Sequence, residues 1–107
     1  MKVLLQRRVV LAGLMILPTA IRAQAGTLHE IEIRQFKFSP KGIAAQPGDR
    51  VTWTNKDLAP HTVTAVDGSY DSGAIAKGEP WSLEVTEDTF GDYFCAFHPQ
   101  MKGSLAG

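Results

Sequence analysis

Cys95, His98 and Met101 stand three residues apart near the C-terminal end of this 107-residue chain, and His61 lies 34 residues before Cys95, directly after Pro60. A thiolate, two imidazoles and a thioether make a recognisable donor set. Zinc sites draw on Cys, His and carboxylates, whereas the thioether is a soft donor suited to copper. Cys with two His and a weak axial Met is the pattern of a mononuclear electron-transfer copper. Taken singly, each side chain is ordinary: a buried Cys is most often a small core hydrophobe, and a Met usually fills a gap. The joint spacing carries the reading.

Residues this far apart need a scaffold to bring them together. Pro99 lacks a backbone donor and biases His98 away from the helical region, so Cys95 to Met101 reads as a tight loop between two strands. Three extended residues span about 10 Å, so that loop must fold back on itself for its side chains to share one ion. His61 would arrive from a neighbouring strand end, with Pro60 restricting its approach.

The remaining sequence supplies strands. From His29 to Phe38, Ile31, Ile33, Phe36 and Phe38 recur at nearly period two, with a slip at Gln35 read as a bulge. Ile43 to Ala45 reads as a short strand, and Pro47-Gly48-Asp49 as a turn into a strand over Arg50 to Asn55. Further strands are predicted over His61 to Val66, through Trp81, Leu83 and Val85, and over Tyr93 to Cys95. Lys102 to Ala106 would close the domain as a very short strand. Short strands between Gly/Pro turns predict an all-β sandwich. Trp53 and Trp81 fall in strand patterns and read as core or cross-strand packing.

Residues 1 to 25 combine a basic start (Lys2, Arg7, Arg8), an apolar run from Val9 to Leu17 and the ending Ala23-Gln24-Ala25, the pattern of a cleaved export signal. The run is shorter than the ~20 apolar residues of a spanning helix, so a soluble single domain over 26–107, without membrane insertion after cleavage, is the expectation. Arg7-Arg8 resembles a twin-arginine signal, but a Sec leader can carry the same pair.

The formal net charge of zero conceals an asymmetry. Four of the eleven Lys and Arg lie in the leader and all eleven acids lie after it, leaving −4 on residues 26–107. That balance, with no basic cluster interleaved with aromatics, excludes a nucleic-acid-binding footprint. Cys95 is the sole cysteine, so no internal disulfide can form. A lone thiol in an oxidising compartment needs an occupant, and a metal supplies one.

Competing motifs fail on their own terms. Tyr93 two residues before Cys95 suits an immunoglobulin-like sandwich, but the partner cysteine is missing; Tyr93 itself stands where a tyrosine corner would. Asp67-Gly68-Ser69-Tyr70-Asp71 suggests a calcium loop, yet the twelfth position is Gly78 rather than an acid. No Gly-x-Ser-x-Gly elbow or paired carboxylates accompany the Ser, His and Asp residues, so an enzyme is not expected. His29 has no partner pattern and is assigned no role.

Trp53-Thr54-Asn55-Lys56-Asp57-Leu58-Ala59-Pro60-His61-Thr62-Val63, with Asp67-Gly68, Asp71-Ser72-Gly73 and Tyr93-Phe94-Cys95-x-x-His98-Pro99-x-Met101-Lys102-Gly103, resembles the cupredoxins. The two-residue gaps between the loop ligands are most similar to those of amicyanins; plastocyanins and pseudoazurins have a longer His-to-Met gap. The resemblance implies a Greek-key β-sandwich with one type 1 copper at one end. On that pattern His61, Cys95 and His98 are equatorial ligands, Met101 is axial, and Asn55 braces the ligand loops. It also implies an exposed apolar patch around His98, with Leu58, Ala59, Pro60, Phe97 and Pro99 as members. Thr62 departs from the Asn that many relatives carry there.

The expected function is a periplasmic electron carrier cycling Cu(II) and Cu(I), monomeric, docking near His98 with redox proteins such as a c-type cytochrome or a dehydrogenase. The net acidity favours a basic partner. A copper-delivery or copper-storage protein is the alternative, which would be expected to carry an exposed Met/His-rich motif.

Overall fold

The computed structural model describes residues 26–107; the predicted export signal over 1–25 lies outside the described residues. Among the described residues, eight strands form two four-stranded sheets. They are β1 (Leu28–Arg34), β2 (Lys37–Ser39), β3 (Gly42–Ala44), β4 (Arg50–Asn55), β5 (Thr64–Ala65), β6 (Pro80–Glu84), β7 (Gly91–Cys95) and β8 (His98–Ala106), with one 3-10 turn at Glu87–Thr89. The first sheet has the order β2-β1-β4-β6 and the second β3-β8-β7-β5. Strands distant in sequence, β1 with β4 and β3 with β8, pair in parallel, while the other neighbours are antiparallel. This two-layer architecture meets the expectation of a Greek-key sandwich. Among the described residues no helix is long and apolar enough to cross a membrane.

Period-two patterning places the core. Ile31 and Ile33 of β1 and Val51 and Trp53 of β4 face Tyr93 and Cys95 of β7 and Met101 and Leu105 of β8 across the sandwich. Each such large apolar side chain, fully buried, contributes on the order of 1.5–3 kcal/mol. Trp53 pairs with Trp81 across β4 and β6 with ring centroids 5.5 Å apart, so both tryptophans serve packing as expected. Trp53 and Phe38 each set an edge against the Tyr93 ring, at 5.5 and 4.8 Å.

Four sequence expectations need correction. The stretch from His29 to Phe38 is not one bulged strand but a hairpin, in which Arg34 pairs with Lys37 and Gln35-Phe36 form the turn. The strand predicted over His61 to Val66 shrinks to Thr64–Ala65, and His61 joins Ile75 in an isolated bridge. The closing strand is longer than predicted, running over nine residues from His98. Tyr93 is no tyrosine corner, because its buried hydroxyl makes no hydrogen bond to the backbone.

Candidate metal centre

The turn that brings the C-terminal ligand candidates together is a tight β-hairpin. β7 and β8 are joined by Ala96-Phe97, and Cys95 lies opposite His98 in register, with an irregularity between Phe94 and Cys95. The chain therefore does fold back on itself between Cys95 and Met101. Met101 then points inward in the alternation that also buries Gly103 and Leu105. Cys95 is completely buried, Met101 nearly so, and His98 partly exposed.

His61 reaches the same end of the sandwich from the loop after β4. Its ring is fully buried, which requires partners for both nitrogens. Nε2 lies 2.8 Å from Asp57 Oδ2, and Nδ1 faces Cys95 Sγ at 3.7 Å. A carboxylate beside Nε2 selects the tautomer with the proton there, leaving the Nδ1 lone pair aimed at the sulfur. The His61 and His98 rings stand 5.3 Å apart between centroids. Thr62 N donates to Cys95 Sγ at 3.3 Å.

The structure thus brings His61, Cys95 and His98 to one corner and sets Met101 three residues along the strand that bears His98. Among the described residues no group of three or more His, Cys, Asp or Glu side chains is drawn up as a metal-holding cluster. Phe36 packs beside both imidazoles, its ring centroid 5.0 Å from that of His61 and 4.7 Å from that of His98 in T-shaped contacts. The donors fit a soft ion in type: a buried sulfur, an imidazole with its free nitrogen turned toward that sulfur, a second imidazole at the surface and a buried thioether.

Bracing around these donors is dense. Asn55, buried in β4, donates from Nδ2 to the carbonyls of Ala59 and Ile75, both at 2.9 Å, and accepts from Asp57 N at 2.8 Å. Its side chain is spent on the loop that carries His61 and on the Ile75 segment that bridges to His61. Thr62 Oγ1 accepts from Ala96 N at 2.7 Å, tying the His61 loop to the turn after Cys95. The hydroxyl therefore links the two loops.

Two contributors escaped the sequence. Asp57 accepts from Gln35 N at 2.7 Å and Phe36 N at 2.9 Å as well as facing His61. Burial pushes its carboxyl up, but the Phe36 and Gln35 amides and the His61 imidazole together hold it below its ordinary value. Its place four residues before His61 was the available signal. Phe36 is about half exposed and packs against His98; no turn residue announced its position.

Amicyanin from Paracoccus denitrificans is 32% identical over 80 residues, an alignment covering 70% of this chain and 61% of that protein. The chain thus spans about three-fifths of the length of this relative. An oxidised proline-to-glycine variant of amicyanin superposes with a TM-score of 0.65 at 29% identity, covering 81% of this chain and 86% of that one. A purple cupredoxin from Nitrosopumilus maritimus gives a TM-score of 0.65 at 26% identity, over 73% of this chain and 97% of that one. The cupredoxin-like domain model matches residues 7–106, and the chain belongs to the cupredoxin-like family.

Proposed function

We propose that this protein is a blue-copper electron carrier with one type 1 copper held by His61, Cys95, His98 and Met101. When bound, the metal supplies a one-electron Cu(II)/Cu(I) couple. The chain's own residues do the rest. His61 Nδ1 and Cys95 Sγ bind from the buried side, Met101 offers a weak sulfur, and His98 links the centre to the surface. Asp57, Asn55 and Thr62 fix the donors, so that a change of oxidation state requires little movement. No substrate is transformed.

The observation that carries this reading is the pairing of His61 Nδ1 with Cys95 Sγ at 3.7 Å while Nε2 is committed to Asp57. Family membership and the likeness to amicyanin, one solved form of which is described as Cu(I), support copper as the ion. We place the carrier in the periplasm on the strength of the signal-like residues 1 to 25. A redox protein, such as a c-type cytochrome or a dehydrogenase, is the partner that docks at the His98 end.

Repeated reduction and reoxidation of the copper-loaded protein in the presence of a Cu(I) chelator tests the carrier against copper delivery. A carrier retains its copper and visible absorbance through every cycle. Transfer of copper to the chelator on first reduction would favour delivery or storage instead.

A further inference from the structure

We infer that the groove between β2 and β8 is a docking surface for a carboxylate-rich face of a partner protein. This inference rests on the electron-carrier reading for its purpose, but its physical basis is independent of copper. The groove has a volume of about 570 Å³, with Lys37, Lys41 and Lys102 on its walls and Phe36, His98 and Met101 at its apolar end. No acid lines it. A second depression of about 500 Å³ continues from it across the outer face of β7 and β8, sharing Lys41 and Lys102, with Asp92 as its acid.

Charge distribution makes this arrangement informative. Residues 26–107 contain only seven Lys and Arg against eleven acids, yet three of the seven meet in this groove. Of the seven, only Arg34 enters an ion pair among the described residues, with Glu32 at 2.8 Å, so the three groove lysines, like Arg50, Lys56 and Lys77, carry unpaired charge. A net-acidic domain that gathers unpaired cations beside its exposed imidazole creates a local field opposite in sign to its overall charge. Such a field steers and orients an encounter more than it tightens the complex.

The fold explains how the lysines converge. β2 is the edge strand of the first sheet, and β3 covers β8 only at Ser104–Ala106, so the His98–Lys102 half of β8 lies open toward β2. Lys41 sits in the connection between β2 and β3, whose carbonyl accepts from Ser104 N at 2.9 Å. The groove is thus a seam between the sheets. Charge complementarity selects an acidic protein face as occupant, and the apolar Phe36 and His98 end gives the partner a direct approach to the imidazole. The net charge of residues 26–107 opposes a long polyanion, whose phosphates would extend past the lysines onto acidic surface. The sequence-based preference for a basic partner therefore reverses at this face.

The test maps amide shifts of the reduced, diamagnetic protein during titration with an octaglutamate peptide, and separately with an oligothymidylate, at low and at physiological ionic strength. The expected result is peptide-induced shifts confined to Phe36, Lys37, Lys41, His98 and Lys102, lost at physiological salt. Affinity should fall about tenfold or more in the Lys37→Gln/Lys41→Gln/Lys102→Gln variant, and Lys77→Gln should leave it unchanged. All three groove positions are exposed, so the variant should keep its fold, which circular dichroism checks. Absent or scattered shifts, indifference to the triple substitution, or equal binding of the oligothymidylate would overturn the inference. Because nothing in the assay depends on electron transfer, its failure leaves the carrier reading standing, and a failed carrier reading leaves the mapped surface intact.

Discussion

Asp57 shows how much a single side chain can coordinate at this site. One carboxylate holds the Gln35 and Phe36 amides and the ring of His61, fixing both the tip of the first hairpin and the tautomer of a candidate ligand. Asp57→Ala should therefore act twice. Loss of hydrogen bonds to a charged acceptor predicts a destabilisation of about 1.5–3 kcal/mol in urea unfolding. Loss of the group that orients a metal-ligating imidazole predicts copper affinity lower by about 10–100-fold in competition titrations. Unchanged affinity with lowered stability would confine Asp57 to a purely structural role. Cys95 is legible at this scale because its neighbours in sequence are the other candidates, whereas Asp57 and Phe36 meet His61 only through the fold.

Strands and turns were legible where their chemistry is local. β4 runs over Arg50–Asn55 as its alternation and the preceding Pro47-Gly48-Asp49 turn require. The Gln35-Phe36 turn was hidden because both residues adopt left-handed backbone conformations, φ 55° and 60°, without the Gly or Asn that usually marks such a turn. Each such residue costs about 1–2 kcal/mol, and the Asp57 carboxylate, 21 or 22 positions away, offsets that cost. The length of β8 was hidden by Pro99, read as a breaker. Its half of the strand lies beyond the reach of β3, where a missing backbone donor interrupts no pairing on that side. Gly103 in the same strand is a close-approach site, since a Cβ there would meet the Tyr93 ring at 2.3 Å. Because Tyr93 is packed between Phe38 and Trp53, Gly103→Ala should cost about 1–3 kcal/mol by denaturant unfolding; a neutral result would mean that the ring can move aside.

At the scale of the molecule, the two ends of the sandwich do different work. At one end lie the candidate ligands; Asp49 stitches loops elsewhere, accepting from Gln46 N at 3.0 Å and Thr27 N at 2.9 Å and facing His29 Nε2 at 2.9 Å. His29, assigned no role from sequence, thus has a partner 20 residues away. The Gln46 amide, the His29 ring and the Thr27 amide lower the Asp49 carboxyl from 3.8 to about 2. A depressed carboxyl stabilises the fold fully above its unfolded value and loses that contribution as pH falls through the folded one. Melting temperature should therefore drop between about pH 4 and pH 2, and Asp49→Asn should flatten this part of the profile while lowering stability near neutrality. Identical slopes for both proteins would remove Asp49 from the account of acid unfolding. The central claim is that the four donors close on one copper, and the visible and electron paramagnetic resonance spectra of the protein after Cu(II) addition test it most directly. The account predicts an intense thiolate-to-copper band that bleaches on reduction, returns on reoxidation and disappears in Cys95→Ser. A colourless adduct, or colour retained in that variant, would contradict it.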